Sequence, residues 1–461
     1  MEKLFGTDGV HGIPGQPPLT PEMVRGIAAI AARLLLERGR ERVNGRGPFI
    51  VVGRDTRGSG PQLLKQLVAG FADAGVRAMD LGVVPTPAVS YLTPRLHAIG
   101  GAVISASHNP AEFNGIKFFD ADGFKMSPQL EEVIEQELRL ERSRPSAGAK
   151  AVGRAEDGAK FVELYVEFLR STFPATLDLS GLKLVIDCAN GASSRIAKPL
   201  LEGLGAEVIA LSCAPNGKNI NAGCGAMFPR QIQKAVVRFK AHAGMCFDGD
   251  ADRCLFSDEK GTLVDGDSII CLGASRLEKA GLLRNHKVVL TVMSNVGLVN
   301  SLRERGIEVV SVPVGDRNVT EAIEKDDLSI GGENSGHIIF RRFAVTGDGL
   351  LTALQTLAAL RESGRPLSAI RKSFHAVPQV LENLHVKVKP PLDTLPGLKR
   401  KIAAFERELG DEGRVLLRYS GTEPLLRVMV EGPDKARVAA MARELGRVFL
   451  AESAQTQPTQ K

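Results

Sequence analysis

The sequence predicts an α/β protein of several units, and three observations carry that prediction. Short β-branched runs alternate with longer segments of helical period almost throughout, as strands crossing over to helices do. The plan restarts after polar, charged stretches at 139–159 and 362–366, which read as linkers. At 461 residues the chain is too long for one core and fits two to four domains. Three α/β units and a smaller α+β unit are therefore expected.

In the first unit, 49–53 reads as a strand and 62–74 as a helix with Leu63, Leu64, Leu67, Val68 and Phe71 on its apolar side. Residues 76–81 return as a strand, and a further strand at 102–105 enters a loop. The second unit repeats the plan with strand 183–187, helix 194–204, strand 207–210 and strand 244–247. That last strand delivers three aspartates at its carboxyl end, where open α/β sheets place catalytic groups. The third unit has helix 267–280, strand 287–291, helix 297–305 and strand 308–313, then a Gly-rich loop and helix 349–361. The C-terminal unit has strand-like 384–388, helix 397–409, strands 415–419 and 426–431, and helix 434–449. Beyond it the polar tail at 451–461 is expected to fray.

Composition narrows the function classes. Hydrophobic content of 43% and charged content of 24% are those of a soluble globular protein. No apolar run reaches spanning length, and the opening M-E-K-L-F-G-T-D-G lacks a signal-peptide core, so a cytoplasmic enzyme without membrane contact is expected. The six cysteines show no Cys-x-x-Cys pair, and Cys188, Cys246 and Cys271 lie in apolar surroundings, as core thiols do. A charge of +6, with Lys and Arg spread rather than clustered, suits an anionic small substrate and does not diagnose nucleic-acid binding. Trp is absent and Tyr numbers 3, so stacking platforms for single strands are scarce, although 19 Phe remain.

The segment from Met245 to Arg253, M-C-F-D-G-D-A-D-R, carries the most chemistry. Asp248, Asp250 and Asp252 can supply hard oxygen ligands with little bulk between them, the pattern of an octahedral Mg²⁺ site. A solvated acidic turn is the other reading. Four more loops bear polar groups. In I-S-A-S-H-N-P, Ser107 is either a nucleophile or phosphate carrier, with Lys117 nearby in sequence, or a cap of the Asn-Pro turn. Arg253 is suited to gripping a phosphoryl group in bidentate fashion. In V-G-D-R-N-V, Arg317 is a substrate contact or a salt-bridge partner. In G-G-E-N-S-G-H, Glu333 and Ser335 suit sugar hydroxyls, and His337 can relay a proton. In R-Y-S-G-T-E-P-L-L-R, Arg418, Ser420, Gly421, Thr422 and Arg427 can enclose a phosphate, or the segment is an ordinary surface hairpin.

Together and in order, G-T-D-G-V, G-R-D-T-R, S-A-S-H-N-P, D-G-D-A-D-R, G-E-N-S-G-H and R-Y-S-G-T-E-P resemble the alpha-D-phosphohexomutase superfamily over essentially the whole chain. Within it, V-D-G-D from Val264, T-V-M-S-N-V-G-L, T-G-D-G-L-L-T-A-L and S-G-T-E-P resemble the bacterial phosphoglucosamine mutases most.

The resemblance implies four domains around a central cleft: α/β domains at 1–150, 151–255 and 256–370, and an α+β domain at 371–455, with a frayed tail at 456–461. It implies an isomerase interconverting glucosamine 6-phosphate and glucosamine 1-phosphate through phosphoserine and a 1,6-bisphosphate. Glucose or mannose phosphates are the alternative substrates, and a non-catalytic sugar-phosphate binder is a third class.

By the same resemblance, Ser107 carries the phosphoryl group and joins Asp248, Asp250 and Asp252 around Mg²⁺, with Arg253 beside it. Lys117 and His337 move protons, Glu333 and Ser335 hold sugar hydroxyls, and Arg418, Ser420, Gly421, Thr422 and Arg427 hold phosphate. A hexose or hexosamine 1,6-bisphosphate is the implied activator, and the first domain the implied homodimer contact. Three departures stand out: His11 where Arg is usual, Asn334 where Gln is usual, and Ala226, Met227 and Phe228 where the family has polar side chains.

Overall fold

F-I-V-V-G-R is apolar on both pleat faces, and a strand with no polar side belongs in the interior of a parallel sheet. Phe49–Arg54 is that strand, buried along nearly its whole length between parallel neighbours Arg77–Val83 and Gly100–Ile104. The computed structural model describes residues 4–6, 8–43, 45, 47–142, 153–420 and 424–455. These divide into two units, Met1–Met293 with Val310–Ser373 and Ser294–Val309 with Phe374–Lys461.

The first sheet runs Val10–Gly12, Asn114–Phe119, Gly100–Ile104, Phe49–Arg54, Arg77–Val83, Ala155–Asp157. Helices Pro21–Arg38 and Gly60–Asp73 cover it, with Ile27, Ile30, Leu67 and Phe71 in the core. The stretch expected to be a linker at 139–159 is not one throughout. Helix Pro128–Arg142 runs into it, and Ala155–Asp157 pairs in parallel with Arg77–Val83. A short A-E-D edge strand faces water, so its composition carries no strand signal.

The second sheet has the order Leu263–Val264, Cys254–Asp258, Ala243–Phe247, Lys183–Asp187, Glu207–Leu211. The helix expected at 194–204 divides into a 3-10 turn at Ala192–Arg195 and a helix at Ala197–Glu202. Pro199 has no N–H for a longer helix to use, so it is accommodated in the first turn of a new one.

The third sheet orders Glu308–Val312, Lys287–Thr291, Ile330–Gly332, Ile338–Phe340. Within the expected Gly-rich loop lies helix Asp316–Lys325, which buries only Val319 and Ile323. Helix Gly349–Ser363 is buried on nearly every side and is capped by Asp348, which accepts from the Leu351 amide at 3.0 Å. No described helix is long and apolar enough to cross a membrane. All six cysteines are unbridged, and Cys188, Cys246 and Cys271 are buried as expected.

Asp348 also accepts from the Tyr165 hydroxyl at 2.8 Å. Burial pushes its pKa up to about 6, against the opposing pull of the hydrogen bonds from Leu351 and Tyr165. The folded state thus holds this proton more tightly than the unfolded chain. Its stabilisation is complete at acid pH and is lost as pH rises through about 6, a change on the order of 3 kcal/mol. Asp348→Asn is expected to remove this slope between about pH 4 and 6. Urea midpoints of variant and wild type, taken across that range, check it; parallel curves would contradict the assignment.

The second unit is an antiparallel sheet of order Gln379–His385, Leu425–Glu431, Arg414–Tyr419, covered by helices Pro396–Leu409 and Lys435–Gln455. Val428, Val430, Phe405, Met441, Leu445 and Phe449 form its core. The first strand lies earlier than the expected 384–388, because Q-V-L-E-N-L-H alternates with only its second, fourth and sixth side chains half-buried and so looks polar. The last helix extends past 449 to Gln455, and the remaining tail at 456–461 lies outside the described residues.

Helix Val296–Glu304 groups with this unit although it lies far earlier in the chain. Asn295 exchanges hydrogen bonds with the Val377 backbone at 3.0 Å, Asn300 donates to the Asp411 carbonyl at 2.8 Å, and Arg414 donates to the Ser294 carbonyl.

Candidate active site

Strand Ala243–Phe247 lies in the middle of its sheet and ends at Asp248. Asp248, Asp250 and Asp252 are all buried, and one oxygen from each lies within 4.8 Å of the others. The loop turns at Ala251, whose left-handed φ of 58° brings the aspartates together. It is pinned by the Gly349 amide donating to the Ala251 carbonyl at 2.9 Å and by the Thr86 hydroxyl donating to Asp250 Oδ2 at 2.7 Å.

Burial, then repulsion from Asp252 and Asp250, drives the Asp248 pKa well above the carboxylate range, and burial with Asp250 raises Asp252. For Asp250 burial is again the largest effect, but the Lys117 ammonium and the hydrogen bonds from Thr86 and Asp248 together outweigh it and hold the carboxyl ionised. Oδ1 of Asp250 and Oδ1 of Asp252 have no donor among the described residues. Hard, close, buried oxygens left unsatisfied are what a divalent cation neutralises, so this donor set fits Mg²⁺.

Ser107 follows strand Gly100–Ile104 and takes a left-handed φ of 48°. Its hydroxyl donates to Asp248 Oδ2 at 2.6 Å. His108 Nδ1 is 3.5 Å from Ser107 Oγ, too long for a general-base contact, and burial followed by Arg253 lowers its pKa to about 4.

The loop's shape rests on residues outside the expected site. Buried Arg57 donates to the carbonyls of Ser107 at 3.0 Å, Asn109 at 2.8 Å and Phe113 at 2.9 Å, and also to that of Pro110. Asp55 holds Arg57 Nε at 2.8 Å and accepts from Ser105, whose oxygen in turn accepts from the Ser107 amide at 2.9 Å. Asn221 donates to the Ser107 and Asn109 carbonyls at 2.8 and 2.9 Å.

Lys117 is buried on strand Asn114–Phe119 and contacts Asp8 at 2.6 Å and Asp250 at 3.1 Å. Burial disfavours its charge, but Asp250 and Asp8 overcome this and raise its pKa well above the lysine value. Lys125 joins Asp8 to Asp316, so an alternating ladder runs from the opening loop to the third sheet's helix. His11, beside it, is neutral: burial lowers its pKa to about 4 despite Asp8.

His337 forms a backbone bridge with Arg253, which joins the aspartate and G-E-N-S-G-H loops. Its ring nitrogens have no hydrogen-bond partner among the described residues, and Nε2 lies 3.8 Å from Asp316 and 3.9 Å from Asp252. Two glycines make room. A Cβ on Gly347 would meet that ring at 2.4 Å, and one on Gly336, at φ 92°, would strike the Cys254 carbonyl at 2.5 Å. Glu333 accepts from the Gly315 amide at 2.9 Å and from Ser335 at 3.0 Å. Arg253 keeps its charge: burial opposes it, but Asp252 and Asp248 raise its pKa further.

Ser107, Lys117, the three aspartates, Arg253 and His337 are thus brought together. Arg317 takes the salt-bridge alternative, donating to Glu131 at 2.7 and 3.0 Å and to the Met126 carbonyl. In the second unit, Arg418 and Arg427 are direct partners across adjacent strands, and Lys389 donates to the Ser420 carbonyl at 2.9 Å. Gly421 and Thr422 lie outside the described residues.

Comparison with known proteins matches this architecture segment by segment. Models of phosphoglucomutase/phosphomannomutase alpha/beta/alpha domains I, II and III match residues 2–144, 163–261 and 265–377, and the C-terminal domain matches 381–447. The phosphoglucosamine mutase of Syntrophotalea carbinolica is 45% identical over 453 residues, covering 97% of each chain. That of Carboxydothermus hydrogenoformans is 48% identical over 436 residues, covering 94% of this chain and 96% of its own. The crystal structure of a phosphoglucomutase/phosphomannomutase family protein from Burkholderia thailandensis shares the fold, with a TM-score of 0.80 at 24% identity over 98% of each chain.

Proposed function

We propose, for a chain that belongs to the alpha-D-phosphohexomutase superfamily and carries its four phosphoglucomutase/phosphomannomutase domains, the interconversion of glucosamine 6-phosphate and glucosamine 1-phosphate. The observation that carries the reading is the Ser107 hydroxyl 2.6 Å from Asp248, within a buried cluster of three carboxylates. The names and identity of the full-length relatives support the amino-sugar substrate.

In this reading phosphoserine 107 donates its phosphoryl group to a sugar hydroxyl, giving a 1,6-bisphosphate and free Ser107. The other phosphate then returns to Ser107 after the bisphosphate turns around. Arg253 grips the transferring phosphoryl oxygens, and charged Lys117 can donate but not accept a proton. His337, with both ring nitrogens unsatisfied, takes the hydroxyl proton. Asp248, Asp250 and Asp252 hold Mg²⁺, with Ser107 as a fourth neighbour, and the bound ion spreads charge on the phosphoryl oxygens.

Glu333 and Ser335 meet sugar hydroxyls, Arg317 is released from Glu131 to reach substrate, and Arg418, Ser420, Gly421, Thr422 and Arg427 hold the phosphate that is not transferring. Domain limits at 1–150, 151–255, 256–370 and 371–455 belong to the same proposal. So do cytoplasmic residence, homodimerisation through the first domain and activation by a 1,6-bisphosphate, all on the family resemblance.

Parallel assays with glucosamine, glucose and mannose 1-phosphates, each with its bisphosphate, test the substrate. The glucosamine compound is expected to have a kcat/KM at least about 10-fold higher than either other sugar, because a carboxylate such as Glu333 discriminates an ammonium from a hydroxyl. Faster turnover of glucose or mannose phosphate would favour the alternative. Met227 and Phe228, 47% and 50% exposed where the family carries polar groups, are the observation on its side.

A further inference from the structure

Lysine and arginine are spread along the sequence, yet the fold gathers Arg170, Arg276, Lys279, Arg342, Arg365 and Lys372 around one cavity of about 1640 Å³ in the first unit. Its lining holds one acidic residue, Glu362, whose carboxylate already accepts from Arg276 at 2.8 and 2.9 Å. Lys279, Arg342, Arg365 and Lys372 have no ion-pair partner among the described residues. Arg170 pairs with Glu163 at 3.4 Å and Arg276 with Glu362, which leaves four unpaired cations in the lining of a chain that is only +6 overall, a strong local excess. Cations around a shared concavity repel one another and focus a positive potential into it, which an anion relieves.

The remaining lining mixes neutral polar side chains, among them Thr172 and Gln355, with apolar ones. Phe173, Leu272 and Phe340 in the lining are buried, and the Arg342 guanidinium lies 5.6 Å from the Phe343 ring centroid. A guanidinium beside a ring can also stack on a flat ligand. The space exceeds the roughly 300–1,000 Å³ typical of small-molecule pockets. None of Ser107, Asp248, Asp250 and Asp252 lines it.

We propose that this cavity is a second ligand site, distinct from the carboxylate cluster, for a phosphorylated small molecule with a flat apolar body, of the class of a nucleoside diphosphate. The unpaired cations take the phosphates and the buried apolar side chains take the body. The proposal stands apart from the phosphoryl-transfer reading, since no residue is shared between them.

Isothermal titration of the full-length protein with ADP tests it, alongside adenosine and inorganic phosphate as the two halves, without added Mg²⁺. ADP is expected to bind more tightly than either half, and saturating glucosamine 6-phosphate is expected not to displace it. The double variant Arg342→Ala, Lys372→Ala, at two exposed positions, should weaken ADP binding by about 10-fold or more and leave sugar-phosphate turnover unchanged. Absence of ADP binding, displacement by the sugar phosphate, or wild-type affinity in the double variant would each overturn the site. Equal affinity for adenosine and ADP would overturn the ligand class.

Discussion

Ser107→Ala is expected to lower kcat/KM by at least about 10⁴-fold, because it removes the only oxygen proposed to carry the phosphoryl group. The fold should survive. Both side chains face the same cost in the left-handed conformation at φ 48°, and the loop is held by Arg57 and Asn221 through backbone carbonyls that the substitution leaves in place. The lost hydrogen bond to Asp248 costs about 1–2 kcal/mol. Intact mass after incubation with a hexose 1,6-bisphosphate separates this from general damage. The wild type should gain one phosphate per chain and the variant none; a stoichiometric adduct on the variant would place the carrier elsewhere.

Asp248→Asn should move activity and metal-free stability in opposite directions. Removing one of three charged oxygens is expected to weaken Mg²⁺ binding by about 100-fold or more, and turnover with it. The metal-free protein should lose no stability at neutral pH. Burial and the neighbouring aspartates raise the Asp248 pKa, so its ionised form opposes folding once pH exceeds the ordinary carboxylate range, and a neutral amide relieves this. A ligand at 100 times its Kd stabilises by about 2.7 kcal/mol, nearly all of which a 100-fold loss of affinity removes. Melting curves with and without Mg²⁺ check both halves. An unchanged Mg²⁺-induced rise in Tm would remove Asp248 from the metal site.

The chemical centre was legible because its residues are close in sequence and of unambiguous chemistry. Asp248, Asp250 and Asp252 lie within one short loop, and Ser107 stands in another at the end of a strand. Among their supports Arg57 falls in a motif, G-R-D-T-R, yet nothing in that motif announces its role. Arg57 and Asn221 act on backbone carbonyls, which any sequence provides, and Lys125 meets Asp316 across 191 positions.

The fold shows the same division. Strand Phe49–Arg54 announces itself by burial on both faces, while helix Asp316–Lys325 buries two side chains and reads as a loop. Helix Pro21–Arg38 has a readable start in T-P-E, where Thr20 caps the Met23 amide and Pro21 opens the helix.

The chain's excursion from the first unit into the second at Ser294–Val309 bears on how such a protein can be taken apart or recombined. A gene cut after Ser373 would still encode helix Val296–Glu304 but not Val377 or Asp411, whose backbones receive Asn295 and Asn300, nor Arg414, which donates to Ser294. The orphaned helix would expose the face it now hides, and the liberated C-terminal piece would lack a wall. Unlike a bead on a string, the last domain is stitched through its neighbour, so a chimaera that exchanges it needs three crossovers in the gene, with 294–309 travelling alongside everything from 374 onward.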